Sequence, residues 1–92
     1  MKKVVVLPSF ERSLERLAVH EKRLLAKSLE MLNDFLVSGR APFGFRLKKI
    51  DSDKFEFRVD IRLRVIIQIT PDAAYLVLVA DHDQIRRYLK NF

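Results

Sequence analysis

The chain has no cysteine and, in 92 residues, only two glycines and three prolines. Without thiols there is no disulfide framework, no thiolate zinc site and no cysteine nucleophile, which fits a reducing cytoplasm. So little glycine and proline beside 49% hydrophobic residues excludes a disordered or low-complexity chain. Long apolar runs are missing too. Residues 4–7 form an apolar stretch that stops at Pro8, with Glu11 and Arg12 close behind. A signal-peptide core needs roughly 7–15 apolar residues, so the Met1-Lys2-Lys3 start is not expected to direct export. No run approaches the ~18 apolar residues of a membrane span. Histidine occurs only twice. Asp81-His82-Asp83 invites a metal reading, but adjacent residues at a strand end point in different directions. No second histidine stands at a ligand spacing, so neither a metal nor a cofactor is expected.

What is abundant is positive charge. Eighteen Lys and Arg against twelve Asp and Glu give a net charge of +6. The excess is shared between residues 1–40 and 41–92, so there is no basic tail. Charge spread over a folded surface points to an anionic partner, either nucleic acid or an acidic protein segment. The plainer alternative is a basic domain whose charge only keeps it soluble. A chain this short buries about 60–65% of its unfolded surface, which makes residues 1–92 one domain with a modest core.

Hydrophobic spacing predicts the element order β-α-α-β-β-β-β-α. Residues 4–7 read as a strand. Ser9 is suited to cap a helix carrying Phe10, Leu14, Leu17 and Ala18 at helical spacing. A break near Val19-His20 precedes a second helix over 21–37, with Leu25, Leu29, Leu32 and Leu36 on one stripe and Gly39 at its end. Strands follow over 45–50, 55–60, 63–70 and 75–80; the last is apolar on both sides, as a central strand should be. Asp81 or Asp83 can cap a final helix with Ile85, Tyr88, Leu89 and Phe92 on its stripe. The first strand cannot stand alone and must join the later antiparallel sheet. The expected fold is α+β: a small, mixed-edge antiparallel sheet, two N-terminal helices on one face and a short C-terminal helix.

Strand parity yields the main functional expectation. Phe55, Phe57, Val65 and Ile67 should all face the helices. Pairing 57 with 65 and 55 with 67 puts Arg58 opposite Arg64, with Cβ atoms about 4.5–5.5 Å apart. Like charges so placed are destabilising unless a counter-ion is close or the pair holds an anion. Glu56, Asp60 and Asp81 are possible counter-ions; Lys48, Lys49 and Arg62 lie near the same edge and favour phosphate. His82 can exchange protons near neutral pH, though a lone histidine beside a helix cap is often structural. Tyr88 sits on an apolar stripe, where packing is its default role. The last hairpin stays open. A two-residue turn at Pro71-Asp72 puts Leu76, Leu78 and His82 on the core parity, and a three-residue turn reverses this and sets His82 opposite Arg62.

The order of elements, the Arg46-Leu47-Lys48-Lys49-Ile50 strand, Phe57-Arg58-Val59, Leu63-Arg64-Val65-Ile66 and the terminal Val79-Ala80-Asp81-His82-Asp83…Tyr88 resemble the RelE/ParE superfamily of toxin-antitoxin toxins. The resemblance covers nearly the whole chain and is strongest to the RelE-like branch. It implies a cytoplasmic toxin neutralised by a cognate antitoxin protein, which enters the ribosomal A site and cuts mRNA there. By position it implies catalytic roles for Arg58, Arg64, His82 and Tyr88, and nucleic-acid contacts for Lys48 and Lys49; Arg46 on the same strand and Arg62 near the same edge are expected to add to those contacts. Glu56 falls where some RelE-like members carry a lysine. That points away from a lysine-based mechanism and leaves His82 as the proton-transfer residue. The implied cleavage needs no metal. The alternatives are a ParE-like inhibitor of DNA gyrase without nuclease activity, or a non-catalytic relic that binds RNA or antitoxin.

Overall fold

Pro8 sets the first corner of the chain. Its fixed φ and missing N–H suit the first turn of a helix, and it opens α1 (Pro8–Glu15) directly behind the strand β1 (Lys3–Val6). The computed structural model describes residues 2–90. After α1 come α2 (Val19–Ser38), β2 (Lys48–Asp51), β3 (Lys54–Arg58), β4 (Leu63–Ile69), β5 (Ala73–Asp81) and α3 (His82–Lys90). The five strands form one sheet in the order β1-β5-β4-β3-β2, with β1 parallel to β5 and the other pairs antiparallel. This is the expected α+β architecture. No described helix is long and apolar enough to cross a membrane.

The local differences have physical causes. Ser9 is not the cap of α1, because the helix starts one residue earlier, at Pro8. The break between helices falls at residues 16–18, slightly ahead of Val19-His20, and the Glu21 carboxylate accepts the Ala18 N–H at 2.8 Å to start α2. Gly39 ends α2 with φ 77°, its N–H on the Phe35 carbonyl at 2.8 Å. Phe45 does not begin a strand. Its ring is fully buried and Arg46 turns left-handed at φ 55°, so pairing starts only at Lys48. Phe92 lies outside the described residues.

Two cores result. On one sheet face Phe10, Leu25 and Leu32 from the helices pack against Phe45, Phe57, Val65, Ile67, Ala74, Leu76 and Val79. On the other, Ile85 of α3 packs on Ile66, Val77 and Ala80, with Tyr88 and Leu89 beside it. α3 therefore covers part of the second face, and the rest of that face carries the arginines.

Both readings of the last hairpin hold in part. The turn is the two-residue one, with the Thr70 N–H on the Ala73 carbonyl at 2.9 Å, and Leu76 pairs with Ile67. Then β5 inserts an extra residue, Val77, so that Leu78 faces Ile66 and Val79 faces Val65. The bulge flips the parity, which is why Leu76 and Val79 both reach the helical face. It also lies where β1 stops and can no longer pair with β5. Two serines of α1 take over. Ser9 Oγ donates to the Val77 carbonyl at 2.5 Å, and buried Ser13 Oγ accepts the Val79 N–H at 3.0 Å while donating to the Phe10 carbonyl at 2.8 Å.

Ser13→Ala should strand the buried Val79 N–H and cost about 1–3 kcal/mol. Urea unfolding checks this against exposed Ser52→Ala, which should stay within about 0.5 kcal/mol of wild type.

Candidate functional site

The β3–β4 register is the one that alternation requires: Phe55 faces Ile67, Phe57 faces Val65, and Arg58 faces Arg64. Each arginine is held at its root. The Arg58 N–H donates to the Phe45 carbonyl at 3.1 Å, and the Arg58 carbonyl accepts Ser28 Oγ from α2 at 3.2 Å. The turn before Arg64 is tied by Asp60, whose Oδ1 accepts the Arg62 N–H at 2.8 Å and the Leu63 N–H at 2.7 Å. Arg64 Nη1 folds back on the Asp60 and Leu63 carbonyls at 2.7 and 3.1 Å. A guanidinium has five N–H donors in all, so Nε and Nη2 of Arg64 remain.

Neither arginine forms an ion pair with a described carboxylate. The three acids expected to serve are engaged elsewhere or stand apart. Asp60 holds its turn. Asp81 Oδ1 accepts the Gln84 N–H at 2.9 Å, and Gln84 Oε1 accepts the Asp81 N–H at 3.1 Å; Asp81 is thus the cap of α3. Glu56 faces Lys48 across β2 and β3. Arg58 Nε is buried and has no acceptor among the described residues. A buried guanidinium N–H left open is costly, and it marks a place where an anion would be stabilising.

Both arginines line a groove of about 570 Å³ together with Arg46 and Lys48, with Glu56, His82, Leu47 and the Phe43-Gly44 turn completing its wall. Four fixed cations face one carboxylate there. His82, exposed at the first position of α3, stands on the rim. The structure thus brings together Arg46, Lys48, Arg58, Arg64 and His82. It does not bring in the other three expected residues. Lys49 pairs with Phe55, on the parity opposite to Lys48, so it points off the groove face. Arg62 turns to α2, where its Nη2 meets Glu21 Oε2 at 3.4 Å. Tyr88 packs with α3 on the second core and lines a neighbouring groove with Arg62 and Glu21. Phe43 and Gly44 escaped the sequence reading; their one signal was an aromatic residue between a proline and a glycine in a loop.

Replacing Arg58 by methionine should remove the like-charge pair and the open N–H together. Arg58→Met is expected to be more stable by a few tenths to about 1 kcal/mol. Inorganic phosphate should raise the wild-type unfolding midpoint and do less for the variant; identical responses would sink the anion-site account. A second expectation concerns acid. Burial pushes the Asp60 carboxyl up, but the Leu63 and Arg62 N–H groups and the charges of Arg62 and His20 outweigh it, leaving the group below its ordinary value of 3.8. A lowered folded value means stability that is present above the unfolded pKa and lost as pH falls through the folded one. Asp60→Asn should therefore flatten the loss of stability below about pH 4, as acid titration of the unfolding midpoint would show.

No protein-family model matches the sequence, and no curated protein matches it. Solved structures do. A chain of the E. coli DinJ–YafQ complex superposes with a TM-score of 0.69 at 13% identity, over 92% of this chain and 98% of that one. A chain of the RelB–RelE antitoxin–toxin complex from Methanococcus jannaschii gives 0.69 at 15% identity, over 91% and 96%. The YoeB dimer from Staphylococcus aureus gives 0.69 at 13%, over 88% and 97%. With nearly the full length of each chain superposed, this chain shares its fold with these YafQ, RelE and YoeB structures.

Proposed function

We propose that this protein is the toxin of a toxin-antitoxin pair and that its groove cleaves mRNA on the ribosome. The observation that carries this reading is the Arg58–Arg64 pair: two opposed cations without a described counter-ion, one with a buried open N–H, in a groove rimmed by His82. Phosphate is the anion that a nucleic acid would bring to it. The fold supports the toxin role, since RelE and YafQ of like fold occur in toxin–antitoxin complexes. A cognate antitoxin is accordingly the expected protein partner.

The chemistry follows from the groups in the groove. Glu56, the only carboxylate among the described lining residues, takes the proton from a ribose 2′-OH. The 2′-oxygen attacks the adjacent phosphorus, and the P–O5′ bond breaks. His82 in its protonated form gives a proton to the departing 5′-oxygen. The products are a 2′,3′-cyclic phosphate and a 5′-hydroxyl. Arg58 and Arg64 stabilise the charge that gathers on the phosphoryl oxygens, and Arg46 and Lys48 hold the flanking backbone. Tyr88 lies in the neighbouring groove and takes no step in this reaction.

The test is 5′-end mapping of a reporter mRNA in a translating extract. Wild-type protein should cut only when ribosomes are present. His82→Ala and Glu56→Gln should each slow cutting by about 10²–10⁴-fold, and Arg64→Ala by about 10²–10³-fold. Intact mRNA with wild-type protein would refute the nuclease reading. DNA breaks in cells expressing it would then point to gyrase, and unaffected growth to a silent binding module.

A further inference from the structure

Phe43 is the most exposed of the described large apolar residues, at 103% of its reference area. A lone exposed apolar side chain is ordinary and by itself means nothing. What distinguishes this one is its mounting and its neighbours. Residues 42–45 form a tight turn, with the Phe45 N–H on the Pro42 carbonyl at 3.1 Å. Gly44 takes the third position at φ 86°, where a side chain would be strained. Directly behind the turn, the buried Phe45 ring stacks on Phe57 at 4.7 Å and tilts against Phe35 at 6.0 Å. The Phe45 carbonyl is the acceptor for the Arg58 N–H. The turn that carries Phe43 is thus anchored in the core and tied to the strand that carries Arg58. Phe43 lines the same groove as Arg46, Lys48, Arg58 and Arg64.

A cationic track beside a free aromatic face is how single-stranded nucleic acid is held: charges take the phosphates and the ring takes a base. We infer that Phe43 is a base-stacking platform, on which a nucleobase of single-stranded RNA lies next to the phosphate held by Arg58 and Arg64. Every base has a π-face, so the platform adds affinity and orients the strand with little sequence preference. An acidic peptide would use the cations but would leave a flat aromatic face at the mouth unexplained. The inference deepens the nuclease reading and rests on it only for RNA being the ligand of the groove.

The chain has no tryptophan, so Phe43→Trp places a sole indole at the turn. The probes are an octamer of 2′-O-methyl RNA, which has no free 2′-OH and cannot be cut by this route, and an abasic oligomer of the same length. The octamer should quench the indole, and the abasic oligomer should not. Phe43→Ala and Phe43→Leu should weaken octamer binding by about 5- to 150-fold and leave abasic binding unchanged. Arg58→Met should weaken both oligomers. If Phe43→Ala binds both like wild type and the indole stays silent while Arg58→Met still loses affinity, stacking is overturned and the groove reading survives. If neither oligomer binds wild type at low salt, the RNA groove fails and the inference with it. An indole that answers a partner protein but not RNA would assign Phe43 to a protein interface and overturn the proposal.

Discussion

β5 is paired on both sides for only half its length, and the fold is arranged around that fact. β1 accompanies it as far as Leu76, after which the chain must leave to start α1. A strand edge abandoned in the interior would leave open N–H and C=O groups, each costing roughly a kcal/mol or more. Ser9 and Ser13 close it, and the Val77 bulge turns the backbone to meet them. The bulge has a second consequence. It changes the parity of β5 beyond Leu76, so that Val79 joins the helical core while Val77 and Ala80 take α3 on the opposite face. Asp81, the last residue of β5, then caps α3 and so fixes His82 at the rim of the arginine face. Placing the imidazole thus depends on a hydrogen-bonding solution reached a few residues back along β5, by serines from the start of the chain.

This explains why the sequence disclosed one half of the site and concealed the other. Residues 55–58 alternate strictly and residues 63–69 alternate but for Ile66, and both are long enough to fix a register, so the Arg58–Arg64 pair follows from parity. Residues 75–80 are apolar on both parities, and an uninterrupted apolar run contains no mark of an inserted residue. The two hairpin alternatives were each correct on their own side of Val77. No local pattern distinguishes a bulge from a slip, because the groups that make the bulge tolerable are serines some 65 residues earlier in the chain.

Other departures have the same character. Phe45 has strand-like neighbours, yet its ring is required beneath Phe35 and Phe57, and the backbone reaches Lys48 only by passing through a left-handed Arg46. Tertiary demand overrode local propensity there. Lys49 was one residue out of phase, and in a strand one residue is the opposite face. Arg62 and Arg64 share a parity but not a direction. Asp60 draws the turn tight, Arg64 is pinned over it, and Arg62 is left to swing to Glu21, an exposed pairing of the kind worth at most about 1 kcal/mol. Elements were legible wherever one face alone was buried; side-chain destinations were not legible wherever a turn or bulge intervened.

The missing counter-ion is informative for a further reason. Within the fold, the cheapest remedy for two opposed guanidinium groups would be a carboxylate set between them, and the chain has twelve acidic residues from which to draw one. A carboxylate there would neutralise the pair permanently, and on the proposed function it would occupy the position of the incoming phosphate. Binding would then first have to break an internal ion pair. With Asp60 on its turn, Asp81 on its helix and Glu56 facing Lys48, no described carboxylate pairs with either arginine. The destabilisation is tolerated because Ser28 and Phe45 hold Arg58 by its backbone, independently of its charge. If phosphate is the ligand, as proposed, its entry would relieve the repulsion kept in the free protein, and the relief would add to the affinity of the site. An arginine pair kept for stability would have no reason to go without its acid.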